Sequence, residues 1–412
     1  MTAATPTTRT ATTGIARWQM PSLIAGIVGA IACVIGYFVD PQTFFRSYLS
    51  GFLFWFMIAV GSLGVLCLQY VTGGEWGILI RRPLGAAART IMWFIVFFVP
   101  IVIGMKYIYI WTDHAVVAQS EVLSGKTWYL NPQSFLIRAA VYFAFWILWA
   151  WRIRVLSLRF YEDRSPYTDL SRRKWAASGL VMIVMTLTFT GIDWVMSLEP
   201  KWYSTMFGIN FFISAALAAY AFVTFFLTRL ADSPAMANIL KPNHFRDLGN
   251  LMLTFVMLWA YTQFSEFLLM WYANLKEEIP YYLVRRAGWW GAISAFLIIF
   301  HFFLPFFMLL MRAIKDRPST IGIVAIVILV ARYASIIWLT QPAWSREHFQ
   351  YSWMALASLV GVGGLWLYLF LGQLKGQTII PIHETWVEEA LREGATLQTT
   401  NGVVNAEGAV HG

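Results

Sequence analysis

Residues 51 to 71 read GFLFWFMIAVGSLGVLCLQYV and contain no charged side chain. A helix rises about 1.5 Å per residue, so about 20 apolar residues cross the ~30 Å hydrocarbon core of a bilayer. This run is therefore predicted to be a membrane-spanning helix. It decides the fold because the same pattern recurs along the chain.

Ten apolar runs of this kind are predicted spans. They lie near residues 22–39, 51–71, 90–111, 134–156, 176–198, 204–229, 245–274, 287–313, 321–340 and 352–372. Of the 412 residues, 59% are apolar and 12% are charged, about half the charged fraction of a soluble domain. We predict an all-α integral membrane protein with one membrane domain at 22–372. The N-terminal tail is 1–21, and the C-terminal segment 373–412 is predicted to hold a short amphipathic helix at 382–394 and then a disordered tail.

The basic residues predict the orientation of the chain. With ten spans both termini lie on one side, and the tails and even-numbered loops hold most of the 30 lysines and arginines. Because basic loops tend to stay in the cytoplasm, both termini are predicted to be cytoplasmic. The first span, between Pro21 and Asp40, lacks a convincing cleavage site and is predicted to be retained. Topology and contact with anionic membrane lipids account for the net charge of +9, so nucleic acid is not an expected partner.

The cysteines and histidines exclude most classes of cofactor. Cys33 and Cys67 stand alone in the first two spans, whereas iron–sulfur clusters and c-type haem need closely spaced cysteines. Of the six histidines, His301 is the only one deep in a predicted span, and a membrane b-type haem usually takes two. No Walker loop, HExxH or GxSxG motif occurs. We therefore expect no cofactor or metal ligated by this chain and place any redox centres in partner chains.

Polar side chains inside the spans are the most informative feature. An ionisable residue within a span costs roughly 2.5 to 3.5 kcal/mol on insertion scales, so such residues tend to face protein or water. In the seventh run, five polar side chains fall within about 60° around the helix axis over a length of ~27 Å. They are Asp247, Asn250, Thr254, Tyr261 and Ser265. This stripe is long enough for a proton path that includes water, and Glu266 lies about 100° round from it.

The fifth run carries a shorter polar stripe. Its members are Thr186, Thr190, Asp193 and Ser197, and they also fall within about 60° around the axis. Other polar residues near or inside spans complete the set of candidates for a proton path. These are Glu199, Lys106, Arg138, His301 and Arg332.

Structural roles are the alternative for each of these residues. Serine and threonine in membrane helices often bond to their own backbone or hold helices together. Lys106 and Arg138 lie near span ends, where long basic side chains snorkel to the surface. Asp193 could pair with a basic residue of a neighbouring helix, and His301 alone is typical of a packing histidine. Arg332 lies mid-span and needs a carboxylate or a water-filled cavity.

The stretch between the fifth and sixth runs is GIDWVMSLEPKWYSTMFG, residues 191–208. The fifth helix is predicted to end at Leu198, before Pro200, which cannot donate a backbone hydrogen bond. Glu199 and Lys201 then fall in a water-facing turn, where they can offset each other. Amphipathic rings favour the membrane interface, where we expect the three candidates for a quinone site, Trp194, Trp202 and Tyr203.

Two blocks of sequence carry a family resemblance. They are DWVMSLEPKWYSTMFGINFF at 193–212 and DLGNLMLTFVMLWAYTQFSEFLLMWYANLKEEIPYYLVRR at 247–286. Together they resemble the NrfD-like, or polysulfide-reductase-like, membrane subunits, in particular the second, ActF-type subunit of alternative complex III. The likeness extends over the ten-span pattern. It implies two four-helix bundles flanked by two further helices, with a proton path in each bundle.

The resemblance also implies a function and a set of partners. The family forms a bacterial inner-membrane complex that passes electrons from quinol or menaquinol to a cytochrome c or copper protein in a respiratory or photosynthetic chain. The implied partners are a sister NrfD-like quinol-binding subunit, iron–sulfur and multihaem cytochrome c subunits, and membrane lipids.

One departure from the family bears on the mechanism. The sister subunit has histidine after tryptophan in a W-H-S-T run, where this chain has Trp202-Tyr203-Ser204-Thr205. A tyrosine, with a pKa of about 10, is a poor base for a quinol proton at neutral pH. We therefore predict a subunit without redox centres that conducts or couples protons. The alternatives are a quinone-binding subunit, a structural membrane anchor and a free-standing ten-helix transporter.

Overall fold

A computed structural model describes residues 17–231, 240–346 and 351–375. Helices make up 86% of these residues, and no strand occurs among them. Ten helices in this part of the chain are long and apolar enough to cross a membrane, which confirms the predicted all-α class and number of spans. They are α1 (Gln19–Val39), α2 (Pro41–Thr72), α3 (Arg81–Ile103), α4 (Pro132–Asp163), α5 (Pro166–Leu198), α6 (Thr205–Ala231), α7 (Pro242–Ala273), α8 (Gly288–Leu310), α9 (Pro318–Ala343) and α10 (Trp353–Leu374).

Several helices begin at a polar residue followed by proline. Asp40 precedes Pro41 of α2, and its carboxylate accepts hydrogen bonds from the backbone N–H groups of Gln42 and Thr43. Proline suits the first helical position because a backbone N–H there would have no intrahelical acceptor in any case. The side chain before the proline accepts hydrogen bonds from the next free backbone N–H groups. Asn131 caps α4 in the same way.

The third span lies elsewhere than predicted. The apolar run suggested 90–111, but α3 begins at Arg81 and its last α-helical residue is Ile103, just before Gly104. Its first turns contain arginines, so a search for apolar residues alone misses them. Lys106 consequently lies past the end of the span, in the short helix Met105–Ile108, and is exposed.

Helices α2 and α6 form the centre of the molecule. Of their most apolar stretches, 89% and 83% of the residues are buried, against 22% for α1 and for α8. A Cβ atom on Gly61 of α2 would lie 2.1 Å from the carbonyl oxygen of Ala215 in α6, so the two backbones are in direct contact. Small residues permit this approach, which compensates for the weak hydrophobic driving force between helices in lipid.

The remaining contacts group the helices. Within the described residues, α2 to α5 pack on one another and α6 to α9 do the same. Contacts of α2 with α6 and α9, and of α5 with α6, join the two sets. The predicted division into two four-helix bundles agrees with these contacts but stays a prediction.

Helices α1 and α10 pack together and against α2. A Cβ on Gly29 would lie 2.3 Å from the backbone nitrogen of Gly361, and one on Gly364 would lie 2.3 Å from that of Gly26. The two helices therefore meet backbone to backbone along two glycine pairs. The predicted C-terminal helix 382–394 and most of both tails lie outside the described residues.

Candidate functional site

The end of α5 positions the first buried carboxylate. Regular α-helix ends at Trp194, and a 3₁₀ turn over Met196–Leu198 completes the span up to the predicted end. Asp193 lies in the last α-helical turn and is only 1% exposed. The Ser197 hydroxyl donates to the Asp193 carbonyl and helps to hold the turn.

Asp193 forms an ion pair with α4. Both Arg138 Nε and the Tyr142 hydroxyl donate to its Oδ2 at 2.8 Å. The guanidinium also lies over the Tyr129 ring, 3.8 Å from its centroid, and donates to the Tyr129 carbonyl oxygen. Asp193 Oδ1 has no hydrogen-bond partner among the described residues. The pairing of Asp193 with a neighbouring helix is therefore present, and Arg138 binds a carboxylate as well as lying near the span end.

The other members of the α5 stripe are buried and bonded internally. Thr190 Oγ1 donates to the Thr186 carbonyl at 2.7 Å, and Thr186 Oγ1 donates to that of Met182 at 2.8 Å. Trp146 Nε1 in turn donates to Thr186 Oγ1 at 2.9 Å. The hydroxyls thus bond to their own helix, the alternative expected for membrane threonines.

The three candidate quinone-site rings lie in different surroundings. Trp194 is fully buried among aromatic rings that include Phe98, so the expected place at the membrane interface is wrong for it. Trp202 is 3% exposed and stacks on Tyr281 with 3.8 Å between ring centroids. Tyr203 is 57% exposed. Quinone binding by these residues stays a prediction.

Glu199 is bound by an arginine from the far end of the second block. Arg285 Nη2 donates to Glu199 Oε1 at 2.7 Å, and Arg346 lies 3.8 Å from the other carboxylate oxygen. The expected offset by Lys201 is therefore wrong, because Lys201 is exposed and the carboxylate turns towards the protein.

Arg285 is a functional candidate that the sequence did not single out. It is 1% exposed, and its guanidinium lies 3.4 Å from the centroid of the Tyr281 ring. It donates to the carbonyl oxygens of Tyr281, Trp338 and Leu339 as well as to Glu199. A planar fork of donors suits such multiple contacts better than a lysine would. The sequence signal that could have pointed to Arg285 is the Arg285-Arg286 pair, which ends the second block at residues 247–286.

Glu266 of α7 is the second buried carboxylate. It is 3% exposed and accepts a hydrogen bond from the Tyr282 hydroxyl at 2.9 Å. Burial, and then the neighbouring Glu266 charge, raise the pKa of Tyr282 well above its ordinary value, so this phenol remains a donor at neutral pH. One turn along α7, Thr262 Oγ1 accepts from Asn210 Nδ2 at 2.9 Å.

The long α7 stripe faces outward from the described chain. Tyr261 is 66% exposed, Asn250 and Thr254 are exposed, and Asp247 and Ser265 are half-buried. The Thr254 hydroxyl bonds back to the Asn250 carbonyl. Periodicity shows that these residues share one face of α7, but it does not show which face is inside.

The face of α7 that carries Thr262 and Glu266 is the buried one. At 100° per residue it lies roughly a third of a turn from the stripe, so the buried polar side chains and the predicted stripe are different sets.

His301 and Arg332 lie together in the interior of the second set of helices. His301 is fully buried in a π-helical segment of α8, Ile298–Phe303, with the Trp259 ring centroid 3.9 Å away. Neither ring nitrogen of His301 has a hydrogen-bond partner among the described residues.

Arg332 is 1% exposed and close enough to His301 for its charge to act on the imidazole. Its one contact to a side chain is weak, from Nη1 to Ser335 Oγ at 3.4 Å, and Nε and Nη2 have no hydrogen-bond partner in the described ranges. No carboxylate of the described chain forms a salt bridge with it.

No protein-family model matches the chain, and no curated protein matches it. The resemblance to NrfD-like subunits therefore rests on the two sequence blocks.

Proposed function

We propose that this chain is a cofactor-free, ActF-type membrane subunit of a quinol:electron-acceptor oxidoreductase, and that it conducts protons or couples their movement to quinol oxidation. The two blocks that carry the resemblance contact each other at three points, which supports treating them as one site. These contacts are Glu199 with Arg285, Trp202 with Tyr281, and Asn210 with Thr262.

A series of buried polar side chains in α6 to α9 carries the proposal. It starts near one end of the spans with Tyr282 and Glu266 and continues one turn along α7 to Thr262, which Asn210 contacts. The next turn of α7 brings Trp259, whose ring lies against His301. The series therefore extends from a helix end to mid-span without leaving the protein interior.

These groups have the chemistry that proton transfer requires. A carboxyl group and an imidazole can each take up and release a proton, and hydroxyl groups can pass one on through hydrogen bonds. The unpartnered nitrogens of His301 and Arg332 each carry a desolvation penalty of roughly 1 to 3 kcal/mol, which internal water would remove. The Arg332 guanidinium then adds a fixed positive charge that opposes free passage of a proton at mid-span.

The test is Glu266→Gln in the assembled complex, reconstituted in vesicles. The amide oxygen still accepts from Tyr282, so the local fold is kept while the exchangeable proton is lost. We expect protons translocated per electron to fall at least twofold, with quinol oxidation under uncoupled conditions and subunit composition unchanged. The control is Glu277→Gln, an exposed carboxylate on the loop that follows α7.

Asp193→Asn tests the other set of helices, α2 to α5, in the same assay. Arg138 already compensates the Asp193 charge, so this variant should lower the proton-to-electron ratio less than Glu266→Gln does. An unchanged ratio in both variants, with normal assembly, would reject proton conduction and favour a structural anchor.

A further inference from the structure

An open cleft lies between α2, α3 and α4, at the end of the molecule where α3 begins. Its walls include four arginines and no acidic residue among the described residues. The arginines are Arg81, Arg82, Arg89 and Arg154. The cleft therefore concentrates one sign of charge between spans.

Two helix faces build the cleft. On α3, spacing of three and four residues puts Arg82, Gly85 and Arg89 on one face, and on α4 it aligns Arg154 with Ser157. A Cβ on Gly85 would have its nearest neighbour 3.9 Å away, at Leu66. The missing side chain at Gly85 therefore leaves space between the arginines.

Positive charges act on one another inside this cleft. Arg89 is close enough to Arg154 and Arg82 for like-charge repulsion. Arg89 Nη2 donates to the Gln373 carbonyl at 2.9 Å, but its Nε is buried without a hydrogen-bond partner in the described chain. Neither Arg89 nor Arg154 forms a salt bridge within those residues. A phosphate group would relieve the repulsion and accept from guanidinium donors in the geometry that arginine favours.

The rest of the lining is apolar and continues along the spans. Leu66, Ala88, Ala150 and Ile153 line the cleft, and Leu158 at its side is 43% exposed. A soluble phosphate is polar and does not pack against such an apolar wall, whereas lipid acyl chains do. In the predicted orientation the cleft faces the cytoplasmic leaflet, whose anionic lipids are attracted to basic sites between spans.

We propose that this cleft binds the phosphodiester headgroup of an anionic phospholipid, with the acyl chains along the apolar wall. The inference does not depend on the proton-conducting role. Arg89 and Arg154 hold the phosphate, and Gly85 provides the room for it.

The experiment measures lipid retention by the full-length chain. The protein is purified in mild detergent, mixed with phosphatidylglycerol, cardiolipin or phosphatidylcholine, and examined by native mass spectrometry. We expect the anionic lipids to be retained, and the double variant Arg89→Gln/Arg154→Gln to weaken this roughly tenfold or more, since each basic residue near a membrane surface contributes about 1 kcal/mol. Gly85→Leu should weaken it too, because it fills the cleft while all four charges remain. Arg159→Gln, an exposed arginine of α4 outside the cleft, should leave retention unchanged.

Three results would overturn the proposal. The first is equal loss in the double variant and in Arg159→Gln, which would mean general surface charge. The second is retention of phosphatidylcholine as strong as that of the anionic lipids. The third is displacement of the lipid by millimolar inorganic phosphate, which would assign the cleft to a soluble phosphate compound.

Discussion

Arg138 and Arg332 both lie within spans, and their surroundings differ in one decisive respect. Arg138 has a carboxylate, a tyrosine ring and a backbone carbonyl as partners. Arg332 has a weak contact to Ser335 and a buried histidine beside it. The first arrangement neutralises its charge locally and fastens α4 to α5. The second keeps a charge in the interior without a described counterion, which is a poor device for stability and is typical of a site that acts on mobile charge.

The largest expected effect comes from breaking the compensated arrangement. Asp193→Ala leaves Arg138 without its carboxylate, and breaking a buried ion pair costs about 3 to 5 kcal/mol. Because Arg138 is partly exposed, we expect the low end, about 3 kcal/mol, in the free energy of unfolding measured by denaturant titration in mixed micelles. The double variant Arg138→Met/Asp193→Leu should recover most of this loss. A loss below about 1 kcal/mol for Asp193→Ala would show that the pair does not fasten the helices.

A smaller effect of opposite sign is expected for the uncompensated arginine. Arg332→Met replaces a buried charge with an apolar side chain of similar length, a change that is often neutral or stabilising. We expect the free energy of unfolding to rise by up to about 2 kcal/mol in the same titration. Destabilisation as large as that of Asp193→Ala would show that the Arg332 charge is compensated, by a counterion outside the described residues. Ser335→Ala serves as the control for the weak contact.

The smallest effect is a pH dependence at the compensated site. Burial, and then the Asp193 charge, raise the pKa of Tyr129 above its ordinary value of about 10. A raised folded-state pKa contributes stability that is complete below the unfolded-state pKa and is lost as pH rises through the folded one, so stability should decline above about pH 10. Partial exposure keeps the Tyr129 share well under 1 kcal/mol per pH unit.

The variant Tyr129→Phe should flatten this decline between pH 9.5 and 11 by a small, measurable amount relative to Tyr167→Phe, whose ring is 81% exposed. Identical slopes in the two variants would show that ionisation of Tyr129 does not contribute to the pH dependence of stability.

The sequence predicted the number and character of the spans well, because a run of about 20 apolar residues has few other uses. It predicted α3 less well, since three arginines lie in its first turns. It also placed Asp193, Glu266, His301 and Arg332 inside predicted spans, because each interrupts an apolar run, and the structure shows that all four are buried.

Which residues meet could not be derived from the sequence. The Glu199–Arg285 pair joins positions 86 residues apart, and no local pattern links them. The α7 stripe shows the same limit. Its five residues share a face of the helix, but that face is directed away from the other described helices. The position of Glu266, about 100° away, was the clue to the buried face.

The glycine contacts between α1 and α10 have a consequence for biogenesis. Helix α1 leaves the ribosome well before its backbone partner α10, whose synthesis follows after more than 300 further residues. At synthesis rates of about 5 to 20 residues per second, this delay is roughly a quarter of a minute to a minute. Throughout that time the glycine face of α1 rests against lipid or the insertion machinery. Arrival of α10 is therefore the step that covers this glycine face, and a nascent chain truncated before Trp353 should remain accessible to membrane quality control.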